Sequence, residues 1–524
     1  MFQTLRHTIR SLLLTPSFTI AGLICLTLGI GATSAIFSIV NAVVLRPLPY
    51  PGSSRLVRIY TEFPTFPGGG LHKFWVSEPE VFDLKSAKSF DLVGAWATTG
   101  VNIAGLNQPL RVTTTYLSAD LFKLLGVKPI LGHLITPQDD VPGALPVVIL
   151  SYGLWKQAFA GNPNMIGKDT YVNNAKTRVI AVMPKGFIFP PGEVDESEAW
   201  TALQLNPKST NRGGHNYNVL GRLREGVTLT QARDEMSRLV ARWGEAESPK
   251  NHVFSPAHHP VTMYPFYDEV TGGVRKAMLM LLGAVVFVLL IACVNVANLL
   301  LARSEARQRE IAVRRALGAS TGRLLKQFIA ESTLLSLTGA ALGLWLAAGS
   351  LRLIQATNSG SLPRADEISL DWLVFAFTLG VSLVTGIFFG LAPLLQVSAI
   401  RVTETLKASS GRASSNIASN RFRRLLAISQ MAMAFLLVAG AGLMIRGFSK
   451  LQQINPGFNP SGMLTFSVSL PDATYRNADG MKSFWTRLQE RLNQLPGITS
   501  VTMMYGLPPR RPENDNDTDI EGFV

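Results

Sequence analysis

A Gly-Lys pair within residues 160–170, AGNPNMIGKDT, is the first candidate for phosphate chemistry in this chain of 524 residues. A nucleotide-binding phosphate loop needs a glycine five positions before its Gly-Lys pair and a Ser or Thr directly after it. Asn162 occupies the glycine position, and Asp169 follows Lys168 with a carboxylate that would repel phosphate. The stretch therefore does not predict nucleotide binding.

Histidines and carboxylates between residues 252 and 269 could in principle bind a metal ion. They are His252, His258, His259, Asp268 and Glu269. The segment is rich in proline and its spacing matches no recognisable ligand set, so we expect surface histidines and no metal. The sequence also contains no HExxH and no nucleophile motif. We accordingly predict no catalytic residues and no cofactor.

Arginines are concentrated in residues 309–332, REIAVRRALGASTGRLLKQFIAES, between two long apolar segments. Glu310 and Arg314 have the i,i+4 spacing that favours a helix, Gly318 can end that helix, and Ser320 can cap the next. A short exposed helix with apolar residues beside arginines is typical of a surface that docks another protein. A solvated loop with basic membrane anchors fits the same residues equally well.

The elements on both sides of this stretch are apolar enough to cross a membrane. A bilayer core needs about 20 apolar residues in a helix, and five segments without Asp, Glu, Lys or Arg reach that length. They are residues 18–45, 277–302, 332–351, 372–400 and 425–445. The first is too long for the apolar part of a signal peptide, so we predict a retained span. Both cysteines, Cys25 and Cys293, lie in these runs, which excludes a disulfide-built secreted domain.

The distribution of charge predicts how the chain is oriented. Basic residues dominate before the first span and in segments 303–331 and 401–424, whereas acidic residues outnumber basic ones in 352–371. The positive-inside rule then puts the three basic segments in the cytoplasm and residues 46–276 and 446–524 outside. Because topology explains the net charge of +14, we predict contact with membrane lipid and no nucleic-acid partner.

The first 17 residues and the small residues of the spans have helical spacing. Phe2, Leu5, Ile9 and Leu12 predict either a short amphipathic helix on the cytoplasmic membrane surface or a frayed basic tail. Small residues four positions apart allow helix backbones to approach closely. The candidate packing positions are Gly31, Gly339, Gly343, Gly386 and Gly390. They indicate packing within one helix bundle or a seam between two copies.

Residues 46–276 alternate strand-like runs with amphipathic helices, which indicates an α+β or α/β domain. The strand-like runs are residues 147–150, 178–183 and 219–223, and a helix is predicted over residues 152–159. A second helix is predicted after Thr230, its expected N-cap. The apolar face of that helix would consist of Met236, Leu239, Val240 and Trp243.

Residues 289–343, LLIACVNVANLLLARSEARQREIAVRRALGASTGRLLKQFIAESTLLSLTGAALG, resemble the permease domain of FtsX/MacB-like ABC transporters. Four further blocks are similar to the periplasmic core domain of that family. They are RPLPYPGSSRLVRIY (46–60), VTTTYLSADLFKLLGVKPILGH (112–133), VVILSYGLWKQAFAGNPNMIGK (147–168) and VIAVMPKGFIFP (179–190). The expected fold class is an α-helical membrane protein with an α+β extracytoplasmic domain, built as an FtsX-like four-helix permease unit plus a fifth span.

The resemblance implies a domain scheme. It consists of a cytoplasmic amphipathic segment (1–17), a first span (18–45), a MacB-like periplasmic core domain (46–276), an FtsX-like permease domain (277–400) with a coupling elbow (303–331), a basic linker (401–424), a fifth span (425–445) and the start of a second extracytoplasmic domain (446–524). The expected location is the bacterial inner membrane.

In this family a coupling helix between the second and third spans engages the ATPase subunit. The coupling residues that the resemblance implies here are Arg307, Glu310, Ile311, Arg314, Arg315 and Gly318. Because the chain contains no phosphate loop, the ATPase is expected on a separate polypeptide. The other implied partners are a second permease half or a second copy, and, for an exporter, a periplasmic adaptor and an outer-membrane channel.

The fifth span and the residues after it depart from a four-span permease. Residues Phe484, Leu488, Leu492 and Leu495 predict one apolar helix face, and PGITSVTM (496–503) predicts the beginning of a strand. This arrangement resembles duplicated permeases of acidobacterial type, in which two such units share one chain. The second unit would stop at Val524, so either the chain is a fragment or a partner supplies the rest.

Three functions are compatible with these features. The first is a permease subunit that transmits the ATP-driven motion of a separate ATPase to the extracytoplasmic domain, for export or mechanotransmission. The second is a non-transporting regulator that relays ATP hydrolysis to a periplasmic enzyme or sensor. The third is a lipoprotein-release permease. The predicted spans lack charged residues, which argues against an ion-coupled transporter.

Overall fold

The computed structural model describes residues 2–504, with gaps at 67–68, 105–108, 192–195, 247–253, 307–312, 314–319, 358–363, 365–366, 392–416, 456–457, 460, 469, 471–474 and 476. The chain divides into two compact units. We call residues 1–46 and 273–454 the helical unit, and residues 47–272 and 455–524 the mixed-sheet unit.

The α-helices of the described residues are α1 (Phe2–Leu13), α2 (Pro16–Val40), α3 (Glu78–Ser86), α4 (Ala119–Leu125), α5 (Tyr152–Phe159), α6 (Leu229–Ala246), α7 (Phe266–Ala306), α8 (Thr321–Thr357), α9 (Trp372–Gly390), α10 (Ile417–Gln452) and α11 (Ala478–Asn493). A π-helical turn, Asn41–Leu45, extends α2. The predicted N-terminal helix is thus present as α1, whose Leu12 packs against Leu26 and Ile30 in a buried cluster.

The strands are β1 (Leu56–Phe63), β2 (Leu71–Phe74), β3 (Val76–Ser77), β4 (Phe90–Ala104), β5 (Pro109–Leu117), β6 (Leu131–Gly132), β7 (Val147–Leu150), β8 (Asp169–Val172), β9 (Ala175–Val182), β10 (Ala199–Ala202), β11 (His215–Leu223) and β12 (Val261–Pro265). Their main order in the sheet is β12-β1-β11-β4-β5-β10-β7-β9-β6. Strand β10 is parallel to β5, and β7 is parallel to β9, whereas the remaining pairs are antiparallel. The mixture of strand directions and helices is the α+β arrangement that the sequence predicts.

Alternating and continuous apolar runs explain why these strands form. All four residues of β7 are buried, as expected of a strand covered on both faces, and its bounds are those predicted. The α6 face made by Met236, Leu239, Val240 and Trp243 is buried in the core beside β1 and β12. The predicted N-cap of α6 is wrong, however. Thr228 caps the helix through a Thr-x-x-Gln box, in which Gln231 Oε1 accepts from the Thr228 N–H at 2.9 Å.

Four helical segments among the described residues are long and apolar enough to cross a membrane. They are Pro16–Leu45, Phe266–Arg303, Leu325–Thr357 and Arg423–Gln452. The segment Trp372–Phe388 is a shorter apolar helix, and residues 392–400 of the predicted fourth span lie outside the described residues. Helix α8 is central to the helical unit because it packs against both α2 and α9. The most apolar part of Arg423–Gln452 has no buried residue.

The segment after α10 contains the predicted helix but not the predicted strand. Helix α11 includes Phe484, Leu488 and Leu492 and has no buried residue. Residues 498–504 have no regular secondary structure. The described part of the chain offers no paired strand at this position, and an extended segment becomes a strand only when a neighbour completes its hydrogen bonds.

Candidate functional site

The six coupling residues expected from the sequence lie outside the described residues. They are Arg307, Glu310, Ile311, Arg314, Arg315 and Gly318. The structure does describe the ends of the two helices that hold them, Ala306 at the end of α7 and Thr321 at the start of α8. Within the stretch, Val313 is described and is 49% exposed, so the apolar side chain described at this connection faces outward.

A largely buried arginine connects α7 and α8 to the N-terminal helix. The Arg303 guanidinium donates to the backbone oxygen of Ser11 at 2.8 Å and contacts Ser11 Oγ at 2.9 Å. It also lies over the ring of Phe18, with 4.6 Å from its central carbon to the ring centroid. Arg303 therefore attaches the last turn of α7 to α1 and to the beginning of α2.

The same guanidinium forms an ion pair with α8. Arg303 NH1 lies 3.2 Å from Glu331 Oε2, and the side chains are only 9% and 3% exposed. Gln327, one turn earlier on α8, donates to the other Glu331 oxygen at 3.2 Å. We refer to Ser11, Phe18, Arg303, Gln327 and Glu331 as the helix-end joint. Since arginine stays charged and offers several donors in a fixed plane, one side chain can hold three helices.

The joint connects three helices through polar contacts and an ion pair. Removing one partner of a buried ion pair leaves a charge without its counterion and costs about 3–5 kcal/mol. A displacement of one of the helices α1, α7 and α8 is therefore expected to move the other two with it.

Close contacts between helices stabilise the rest of the helical unit. A Cβ added to Gly31 would lie 2.9 Å from the Gly343 oxygen, and one on Gly339 would lie 2.7 Å from Leu26 Cβ. Helices α2 and α8 thus meet backbone to backbone, as small residues allow. A Cβ on Gly386 would meet Thr333 Cα at 2.7 Å, and one on Gly390 would meet Ile329 Cα at 2.7 Å. The five glycines singled out in the sequence therefore all face a neighbouring helix of the same chain.

Hydroxyl groups add hydrogen bonds between α8 and α9. Ser332 Oγ donates to the Gly386 oxygen at 2.6 Å, and Ser336 Oγ donates to the Ser382 oxygen at 2.7 Å. Such bonds satisfy backbone oxygens that an apolar environment would leave without water. Helices α2, α8 and α9 therefore form a closely packed group.

The opposite ends of these helices are held by a second polar group. Asn41 donates to Asp371 Oδ2 at 3.1 Å, and Arg46 forms an ion pair with the same carboxylate. The other Asp371 oxygen accepts from the backbone N–H of Val374 at 2.8 Å and so caps α9. Arg364 donates to the Arg46 oxygen at 2.9 Å. These contacts are expected to hold the end of α2 against the start of α9.

One of the histidines expected at the surface is buried. His259 is 0% exposed, whereas His258 is exposed and contacts Ser255, and His252 lies outside the described residues. The expectation is wrong for His259 because β12 and the turn before it bring this side chain against Glu80 and His215, which are also buried. Glu269, another member of the candidate metal group in the sequence, instead accepts from Tyr60 at 2.6 Å and Lys73 at 2.7 Å.

The residues 160–170 form a turn between α5 and β8. Asn162 caps the short helix Pro163–Met165 through its side chain. Asp169 forms ion pairs with Lys176 and Arg178 across the β8–β9 hairpin. These contacts give the segment a structural role, in keeping with its failure to match a phosphate loop.

Sequence reasoning missed Arg303, Glu331, Glu80 and His215. The first two stand directly beside predicted spans, so the charge that flanks each apolar run is a signal that could have found them. Glu80 follows Ser77 by three positions, and that spacing predicts a capping box. His215 gives no comparable local signal, since its partners are distant in the sequence.

Two family profiles match this chain in succession. The MacB-like periplasmic core domain matches residues 19–239, and the FtsX-like permease C-terminal domain matches residues 282–402. The macrolide export ATP-binding/permease protein MacB of Escherichia coli strain K12 is 29% identical over 294 residues, which are 55% of this chain and 42% of that protein. The MacB protein of Shigella boydii is 28% identical over the same shares. The chain thus spans less than half the length of these curated relatives.

Among solved structures, the periplasmic region of MacB from Actinobacillus actinomycetemcomitans is similar over 46% of this chain and 98% of that structure, with 15% identity and a TM-score of 0.31. The order of the two profile matches is that of an extracytoplasmic domain followed by a membrane-embedded permease domain. This chain belongs to the FtsX/MacB-like family of ABC transporter permeases.

Proposed function

We propose that the chain transmits ATP-driven motion from a separate ATPase subunit to its extracytoplasmic domain, as part of an export or mechanotransmission complex. Residues 307–319 would form the surface that the ATPase engages. The coupling contacts would come from Arg307, Glu310, Ile311, Arg314, Arg315 and Gly318. ATP binding and hydrolysis belong to the partner in this proposal.

The helix-end joint is the observation that carries the proposal. Because Arg303 lies in the last turn of α7 and Glu331 lies ten residues after the first residue of α8, a force on the connection between them reaches both helices close to the joint. The bond from Arg303 to Ser11 extends the effect to α1 at 2.8 Å. A buried ion pair of this kind resists separation more strongly than an exposed one.

The residue types of the predicted spans support a role in transmitting motion and argue against the passage of ions. Residues 18–45, 277–302, 332–351, 372–400 and 425–445 contain no Asp, Glu, Lys or Arg. Proton and ion pathways through membranes depend on such groups. A bundle held by glycine contacts and hydroxyl bonds instead suits a change in helix positions.

The proposed assembly has two permease halves in the bacterial inner membrane, either two copies of this chain or this chain with a second permease. The N-terminus and residues 307–319 would face the cytoplasm, and the mixed-sheet unit would lie outside. Of the possible outputs we favour export, because the curated relatives are named macrolide export proteins. A periplasmic adaptor and an outer-membrane channel would then complete the complex.

Charge reversal at Arg314 and Arg315 tests the coupling surface. The double variant R314E/R315E is expected to abolish pull-down of the ATPase and stimulation of its activity, because two attractive charges become repulsive. The matched control is R423E/R424E, which reverses two arginines in segment 401–424, also expected in the cytoplasm. Both variants should insert into membranes at the wild-type level, as measured by membrane fractionation.

Unchanged pull-down by R314E/R315E would refute the coupling assignment. Equal loss in R423E/R424E would show that general basic charge, and not residues 307–319, attracts the ATPase. Co-purification from native membranes distinguishes the outputs. An adaptor and an outer-membrane channel support export, whereas a cell-wall hydrolase or a sensor supports a relay.

A further inference from the structure

Three buried side chains of the mixed-sheet unit converge on one point. His215 Nε2 lies 3.6 Å from Glu80 Oε2, and His259 Nε2 lies 3.4 Å from Glu80 Oε1. One ligand atom from each of the three side chains lies within 4.8 Å of the others. Their exposed fractions are 0% for Glu80, 7% for His215 and 0% for His259.

Three separate elements bring these residues together. Glu80 is in the first turn of α3, where its Oε2 accepts from the Ser77 N–H at 2.8 Å. His215 begins β11 and pairs with Ser77 of β3, so it stands beside that turn. His259 ends the turn Ser255–His259, which is closed by a 2.8 Å backbone bond, just before β12.

The hydrogen bond that His215 Nδ1 makes decides which nitrogen of the neutral ring carries the proton. His215 Nδ1 lies 3.1 Å from the Gly213 oxygen, and a carbonyl can only accept, so Nδ1 carries a proton. In the neutral ring Nε2 then has a lone pair, which faces a carboxylate oxygen. Two acceptors that face each other at this distance need a cation or a proton between them.

The carboxylate of Glu80 is buried in apolar surroundings. Aromatic rings surround the group. Phe63 stacks on His259 with 4.7 Å between ring centroids, and Phe254 lies 5.0 Å away. In such apolar surroundings an ionised carboxylate requires a nearby positive charge.

The two contacts to Glu80 are closer to the spacing of zinc ligands than to that of direct hydrogen bonds. N–H···O bonds are usually about 2.7–3.2 Å long, shorter than both contacts, which reach the two different oxygens of the carboxylate. Ligands at about 2.0–2.2 Å from a tetrahedral zinc ion are about 3.3–3.6 Å apart. Two imidazoles and a carboxylate form a known zinc ligand set, whose fourth position a water or the second carboxylate oxygen would fill. The bond from His215 to Gly213 is the second contact that orients a ligating histidine.

We propose that Glu80, His215 and His259 bind a structural zinc ion that joins α3, β11 and the turn before β12. Burial of all three ligands assigns the ion a structural role, because a substrate would need access to it. The zinc would stabilise the mixed-sheet unit by binding the folded state alone. This inference is independent of the proposed coupling to an ATPase.

Metal content of the full-length chain tests the site. The chain is purified in detergent through an affinity tag without histidines, dialysed against excess free zinc and then against buffer, and analysed by mass spectrometry of the metal. About one zinc per chain is expected for the wild type and for His258→Gln, the exposed neighbour. His259→Gln and His215→Gln are each expected to lose at least about four-fifths of the metal, because a three-ligand site that loses one ligand binds zinc much more weakly.

A wild-type chain that retains no zinc would overturn the proposal and leave an ion-paired triad. So would equal zinc in the wild type and His259→Gln, since the metal would then bind elsewhere. If the histidine variants do not fold, metal-stripped wild type is titrated with Co²⁺. A visible band that saturates at one equivalent and is displaced by zinc supports the site, and absence of the band refutes it. Zinc should also raise the apparent Tm of the stripped wild type by roughly 5 °C or more.

Discussion

At the residue scale, the ion pair between Arg303 and Glu331 is expected to contribute strongly to the stability of the helical unit. The guanidinium contacts Ser11 and Glu331 through hydrogen bonds and the ring of Phe18 through a cation–π contact, so its partners come from three helices. The pair lies beside the connection between α7 and α8 and so combines structural and transmitting roles in the proposed mechanism. The sequence marks both residues as charges that flank apolar runs, but it does not pair them.

The variant Glu331→Gln tests this joint. It is expected to cost about 3–5 kcal/mol of stability, because it removes the countercharge of a buried guanidinium. Thermal unfolding of the detergent-solubilised chain measures the loss. In the proposed complex the variant should still bind the ATPase through residues 307–319 but stimulate it less than the wild type.

Asp169→Asn is the control, since Asp169 pairs with Lys176 at 3.0 Å and the two side chains are 30% and 68% exposed. A much smaller effect is expected there. The double variant Arg303→Gln/Glu331→Gln should lose less than the sum of its single variants. Additive losses, or equal effects of Glu331→Gln and Asp169→Asn, would contradict a coupled buried pair.

At the scale of elements, glycines determine how closely the helices of the helical unit approach one another. Gly343 of α8 faces Gly31 of α2, and a Cβ on Gly343 would lie 2.9 Å from the Gly31 nitrogen and 3.1 Å from the Thr27 oxygen. Both are backbone atoms, which can yield only if the helices separate. The four-residue spacing predicted such contacts, but it did not tell which helix would be the neighbour.

Gly343→Ala should therefore destabilise the chain by about 1–3 kcal/mol through overpacking. Gly349→Ala, on the same helix, has nothing within 4 Å of the added Cβ. It is expected to be neutral or slightly stabilising, because alanine favours a helix over glycine by up to about 1 kcal/mol. Thermal unfolding of both variants in one detergent makes the comparison. Similar melting temperatures for the two would argue against the close α2–α8 contact.

Local signals predicted several elements with the correct bounds. The continuous apolar run of β7 and the helix α5 were recognisable because their patterns are complete within ten residues. The α6 face was also correct, but its start was misplaced, since Thr228 and Thr230 are both acceptable caps and the Gln231 side chain selects Thr228. The strand expected at residues 496–503 did not form, because strand formation needs a partner that a local pattern cannot guarantee.

At the scale of the whole molecule, the predicted orientation can be tested by labelling. In a background with Cys25 and Cys293 replaced by serine, a cysteine at Ser320 should resist a membrane-impermeant thiol reagent in cells whose outer membrane has been permeabilised. A cysteine at Gly213 should react, because the mixed-sheet unit is expected outside. Both positions should react after the inner membrane is disrupted, which controls for accessibility. The reverse pattern in cells with only the outer membrane permeabilised would overturn the orientation.

The sequence by itself determined the apolar segments, the charge asymmetry and the alternation of strands and helices in residues 46–276. Each of these depends on residue types within a window of about 20 positions. Only the tertiary structure decided that Arg303 contacts Ser11 and Glu331, and that Glu80, His215 and His259 share one buried point. Those contacts join residues far apart in the chain, so they depend on the path that the intervening helices and strands take, and no local pattern records that path.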